Sequence, residues 1–175
     1  MKTHLTDLII SRRSIRKYKP ESVEKEKILS VIKAAMYAPS AVNCQPWHFI
    51  VIDDRSVMKN IMAFHPSSKM LETASHAILV CGDENLQHDK NYWLADCGAA
   101  TENLLLAAHS IGLGACWIGI FPRENRMKFI SALMKLPPHI KPFALISLGY
   151  GDEKKDAPDR FKPERIYYNA WNIPF

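Results

Sequence analysis

Between Asn91 and Ile111 the chain carries a segment that cannot be left in water. As one helix it runs roughly 30 Å at about 1.5 Å per residue, and Gly112 ends it. Ala95, Cys97, Gly98, Ala99, Ala100, Leu104, Leu105, Ala107 and Ala108 leave it small and apolar on most sides. A helix with so little polar face is either buried at the centre of a fold or set against another subunit. The remaining elements must be arranged around it. His48–Asp53, Ala77–Asp83, Ala115–Phe121 and Phe143–Tyr150 are short apolar runs rich in β-formers, which predicts buried strands. Helical spacing marks residues 3–11, through Leu5, Leu8 and Ile9, and residues 55–64, through Val57, Met58, Ile61 and Met62. A further helix, with Ser22 as its cap, runs to about Ala38, where Pro39 stops it, and another covers 123–135. Strands separated by helices of unequal length give an α+β or three-layer α/β class. Strand order does not follow from the sequence.

At 175 residues the chain is expected to form a single domain. Its formal net charge of +5 suits an anionic ligand. The basic residues are scattered and never interleave with aromatics, so no nucleic-acid partner is expected. The start, Met1-Lys2-Thr3-His4-Leu5-Thr6-Asp7, mixes charge with apolar residues and does not read as a secretory leader. No apolar run approaches the roughly 18 residues of a membrane span, so no membrane partner is expected. Cys44, Cys81, Cys97 and Cys116 form no Cys-x-x-Cys pair, and no His pair has ligand spacing. Reduced thiols in a cytoplasmic protein without a metal are the expectation.

Two segments carry chemistry. Extended, Arg12-Arg13-Ser14-Ile15-Arg16 puts Arg12, Ser14 and Arg16 on one side, over roughly 13 Å. Guanidiniums donate in pairs and stay charged when desolvated, so such a row can hold a phosphate at one end and a polar ring edge at the other. Pro39-Ser40-Ala41-Val42-Asn43-Cys44-Gln45-Pro46-Trp47 is a polar loop bounded by prolines and anchored on a strand. The tail Ile166–Phe175 carries aromatic surface beyond the last strand, which must dock on its own domain or embrace a partner chain.

The ordered set Arg12-x-Ser14-x-Arg16, Pro39-Ser40-x-x-Asn43-x-Gln45-Pro46-Trp47, Lys69-Met70-Leu71, Gly112-Leu113-Gly114-x-x-Trp117-Ile118-Gly119 and Arg160-Phe161-Lys162-Pro163 resembles the FMN-dependent nitroreductase family over nearly the whole chain. The resemblance implies an α+β, three-layer α/β/α sandwich with a mixed sheet, in a domain-exchanged homodimer. Residues 1–175 would form one FMN-binding domain, with an arm at about 160–175 embracing the partner subunit. It implies FMN as cofactor and NADH or NADPH as transient hydride donor. Hydride would pass through flavin N5 to a small acceptor, such as a nitroaromatic or quinone, by a ping-pong mechanism. Arg12, Arg13, Ser14 and Arg16 match the ribityl-phosphate and ring-edge contacts. Pro39, Ser40, Asn43 and Gln45 match the loop the partner lays against the ring. Lys69 falls near the pyrimidine side, where a cation stabilises reduced flavin. Ile118 and Gly119 mark the strand end facing N5, and Arg160 with Lys162 completes the phosphate pocket. Another reaction on the same scaffold, reductive dehalogenation or flavin cleavage, and a non-catalytic flavin-binding dimer remain open alternatives.

Overall fold

The computed structural model describes residues 4–175, so the first residue of the helix expected at 3–11 lies outside the described residues. Helix α1 spans Leu5–Ser11 and α2 spans Lys25–Met36. Strand β1 (Trp47–Ile52), helix α3 (Arg55–Phe64) and strand β2 (His76–Asp83) follow, then α4 (Tyr92–Ser110), β3 (Gly114–Gly119), α5 (Glu124–Leu133) and β4 (Ile140–Gly149). Ser22 is not the cap of α2. Glu24 holds that position, its carboxylate accepting from the Tyr150 hydroxyl at 2.6 Å. With Val23 buried just before it, the helix entry is pinned to the end of β4. Asp54 caps α3, accepting the Ser56 amide at 2.7 Å.

The four strands form one sheet in the order β1-β2-β4-β3, and every strand pairing is antiparallel. The expected mixed character comes down to one parallel bridge, Ser14 with Ala115, which lays the Arg-rich segment along the outer edge of β3. Strand alternation divides the core into two halves. Ile78, Val80, Ala144, Ile146 and Leu148 pack with α2 and α4 on one face of the sheet. Ala77, Leu79, Cys81 and Leu145 pack with α3 and α5 on the other. These are the three layers. α4 buries Trp93, Cys97, Ala100, Leu104, Leu105 and Ala108 as a single stripe, so its small residues serve close approach to the sheet and α2. Burial pushes the Cys81 thiol up to about 12, and it stays a neutral core side chain.

The Arg-rich segment is seated by two glycines. Ile15 lies so close over Gly114 that a Cβ there would meet Ile15 Cγ2 at 2.8 Å, and one on Gly149 would meet the Tyr18 ring at 2.8 Å. The Tyr18 hydroxyl donates to the Ile15 carbonyl (2.6 Å) and shares a bond with Ser147 Oγ (2.7 Å). Burial raises its pKa, keeping it a neutral donor. Gly114→Ala is expected to lower stability by ~1–3 kcal/mol, the usual cost of overpacking, in urea unfolding. A neutral result would mean that Ile15 does not rest on the sheet.

Candidate active site

The segment 12–16 divides its cations between two clefts. Arg12 and Arg13 line one of about 650 Å³ together with Ile9, Ile10, Arg160 and Phe161. Arg16 lines another of about 430 Å³ with Lys69, Met70, Pro66 and Ser67. Ser14 lies between them on the same strand-like stretch, and its carbonyl accepts from Lys155 Nζ at 2.8 Å. Lys162 does not line the Arg12 cleft; it precedes the short turn Pro163–Arg165. Arg12 Nε sits 3.3 Å from Glu102 Oε1 on α4, but off the line of a good hydrogen bond, so it is buried with its donor unsatisfied. Arg13 is more fully engaged, donating to the carbonyls of Asp156 and Ile10, each at 2.9 Å. His109 on α4 shares a 2.9 Å bond with Ser11. Its pKa is lowered by burial first, then by the charges of Arg12 and Arg13.

The far end of β3 is built differently. β3 is an edge strand. Its Ala115 carbonyl accepts the Ile15 amide at 3.0 Å from outside the sheet. Backbone direction alternates along a strand, so residues 117 and 119 point their N–H and C=O groups to the same free edge. Gly119 bears this out: its carbonyl accepts His65 Nε2 at 3.0 Å and Arg126 Nη1 at 2.8 Å. A Cβ on Gly119 would meet nothing within 4 Å, so that residue faces open space. Ile118 has its side chain in the core and, by the same parity, its backbone groups toward β4.

The loop after α2 lies elsewhere. Its residues line none of the clefts around Arg12, Arg13 and Arg16. Pro39 is exposed and Ser40 half-buried. Ser40 Oγ accepts the Gln45 amide at 3.0 Å, and Asn43 Oδ1 accepts Gln45 Nε2 at 3.0 Å. Val42, Asn43 and Gln45 all have left-handed backbones, φ of 50°, 56° and 50°. For a β-branched valine this is strain of order 1–3 kcal/mol. Asp96 on α4 holds the loop down, accepting the Ala41 amide at 3.0 Å with its Oδ1. Within the chain, then, the loop and the clefts of the Arg12–Arg16 row share no lining residue. Sequence reasoning missed Glu102, Asp96, His65 and Arg126. Glu102, Asp96 and His65 act on groups far along the chain, and Arg126 on a backbone carbonyl seven residues before it, so no side-chain pattern marks them.

The tail is folded but uncovered. Tyr167 and Pro174 form an antiparallel bridge, and Trp171 packs on Tyr167 at 4.6 Å between ring centroids. Trp171 remains 77% and Phe175 84% exposed. Among the described residues no helix is long and apolar enough to cross a membrane, and no group of three or more His, Cys, Asp or Glu side chains could hold a metal ion.

Comparison with known proteins matches the chain to the Nitroreductase family over residues 9–64 and 65–150. A protein of Archaeoglobus fulgidus, provisionally named an NADH dehydrogenase/NAD(P)H nitroreductase, is 46% identical over 168 residues, covering 94% of this chain and 97% of the relative. A solved structure from Parabacteroides distasonis with the same provisional name has a TM-score of 0.93 at 39% identity, covering 97% of this chain and all of that one. The FMN-dependent nitroreductase of Clostridium difficile R20291 has a TM-score of 0.86 at 34% identity, covering 94% of this chain and 98% of its own.

Proposed function

Because the chain belongs to the nitroreductase family, we propose that it works as an NAD(P)H-dependent flavin oxidoreductase that holds FMN between two protomers. The observation that carries this reading is the free edge of β3, where Gly119, with open space where a Cβ would stand, lies at one end and the cations of residues 12–16 lie along the other. The residues fit the cofactor. Arg12 keeps a buried donor without a good acceptor, in a cleft it shares with Arg13 and Arg160, which suits a phosphate. Lys162, on the same arm, is within the segment that would close that pocket. Ser14 and Arg16 continue the row, and Lys69 stands beside Arg16, where a fixed cation favours a ring that gains negative charge.

FMN held by these residues would supply the redox chemistry, hydride transfer from NADH or NADPH to a small acceptor. The chain's own part is to bind, orient and tune. Gly119 offers its amide and, lacking a side chain, lets a flat ring approach closely. Pro39, Ser40, Asn43 and Gln45 belong to a strained loop that lines none of the clefts around the Arg12–Arg16 row, and they would reach the ring from a partner subunit. The exposed arm at 160–175 is the element that would secure that partner. One cleft serving donor and acceptor in turn gives ping-pong kinetics.

The test is uptake of FMN followed by anaerobic titration with NADH or NADPH. Bound, yellow flavin that is bleached by the nicotinamide is the expected result. Protein that takes up no FMN would overturn the reading. A second readout needs no turnover. Phosphate charge beside Arg12 and Arg13 offsets two of the causes that lower the His109 pKa, so FMN is expected to raise it in an NMR titration. An unchanged or further lowered value would place the phosphate elsewhere.

A further inference from the structure

We propose that Arg55 is a positioning residue for Lys69: its guanidinium straps down the exit of the turn that carries the lysine, and so keeps two cations, Lys69 and Arg16, in one cleft. The strap is read from the chain alone. That the cation it places acts on a flavin rests on the function proposed above.

Arg16 and Lys69 line the same cleft. Like charges repel, and the repulsion displaces whichever side is freer to move. Lys69 opens a single short helical turn, Lys69–Glu72, in the connection between α3 and β2. A turn of four residues has too few internal hydrogen bonds to be rigid by itself. Its entry is tied down. The Ser68 amide and hydroxyl both donate to the His65 carbonyl, at 3.1 and 2.7 Å, and the Leu71 side chain is fully buried. Its exit ends in carbonyls that the turn itself cannot satisfy, and these need donors from elsewhere.

Arg55, the first residue of α3, supplies them. Its Nη2 donates to the Leu71 carbonyl at 2.9 Å and the Glu72 carbonyl at 2.6 Å, and its Nη1 donates to the Ala74 carbonyl at 2.7 Å. One planar fork thus gathers three carbonyls, which the single ammonium of a lysine could not span. The root of the arginine is fixed as well, because Asp54 caps α3 immediately before it. Arg55 itself lines another cleft, with Ser22 and Ser75, so it acts on Lys69 through the backbone of the turn.

The experiment compares the full-length parent with Arg55→Met, Arg55→Lys, Lys69→Met and the double variant Arg55→Met with Lys69→Met. In the flavin-free chain, hydrogen exchange at the Thr73 and Ala74 amides, both bonded to the Met70 carbonyl, is expected to speed up about tenfold in Arg55→Met. With FMN, the midpoint potential reads the cation beside the ring. Lys69→Met is expected to lower the preference for reduced over oxidised FMN about tenfold, a shift of about 30 mV for a two-electron couple. Arg55→Met should lower it about threefold when Lys69 is present and leave it unchanged when Lys69 is already gone, since a strap acts only through what it holds. Arg55→Lys keeps the charge but not the fork, so its exchange and potential should both depart from the parent in the direction of Arg55→Met. Arg55 is exposed, and should Arg55→Met still fail to fold, Arg55→Lys carries the same test. Unchanged exchange at Thr73 and Ala74, a potential shift of equal size with and without Lys69, or Arg55→Lys equal to the parent would each overturn the strap. A parent that binds no FMN would overturn the flavin reading, and the exchange rates would still judge the strap.

Discussion

Arg12→Ala is expected to bind FMN some ten- to a hundredfold more weakly than the parent chain, measured by flavin fluorescence quenching. The guanidinium is mostly buried between α4 and the cleft it lines, and its ion pair with Glu102 is poorly aligned. A phosphate in that cleft would receive a charge-assisted hydrogen bond, worth about 1.5–3 kcal/mol, with little further ordering of the side chain. Removal also leaves Glu102 without its cation facing the anion, which adds repulsion. Arg13→Ala is expected to lose less, because Arg13 already gives two of its donors to the Asp156 and Ile10 carbonyls. Equal affinity in Arg12→Ala and parent would mean that the phosphate does not sit in this cleft.

Removing residues 160–175 is expected to yield a single-chain particle that no longer retains FMN. Phe161, Tyr168, Trp171 and Phe175 are all more than half exposed on the isolated protomer. Aromatic side chains each bury about 150–250 Å² when covered. At about 25 cal/mol per Å², covering what these four expose gives roughly 10 kcal/mol per arm. Two arms in a symmetric pair outweigh an association cost of about 4–15 kcal/mol. The core lies elsewhere, on both faces of the sheet, so the truncated chain should still unfold cooperatively. A truncated chain that remains paired would show that the tail is not what joins the protomers. Loss of pairing with undiminished flavin binding would show that one protomer suffices for the site.

The elements were legible where their signal is local. The apolar runs that became β2 and β4 are buried on both faces, and such strands read as unbroken β-formers. α3 matched its expected limits, since its spacing is regular and Asp54 marks its start. The start of α2 was not legible: Ser22 is a good cap by type, but the Glu24–Tyr150 contact, set by tertiary packing, decides the entry point. Nor did the sequence disclose that the strands are antiparallel throughout, because direction depends on how connections cross the sheet. For the site, the Arg12–Arg16 row and the Ser40–Gln45 loop stood out as clusters of donors. His65 did not. Its partner is a backbone carbonyl 54 residues away, and neither the histidine nor the glycine carries a mark of that bond in its neighbours. The same holds for Asp96, whose role is to hold one amide of a strained loop.

The most direct measurement is an FMN titration followed in the analytical ultracentrifuge at a wavelength where only the flavin absorbs. A two-chain particle carrying one flavin per chain, with no colour on any smaller species, is the predicted result. Flavin sedimenting with a single chain, or a two-chain particle that stays colourless in excess FMN, would contradict the account.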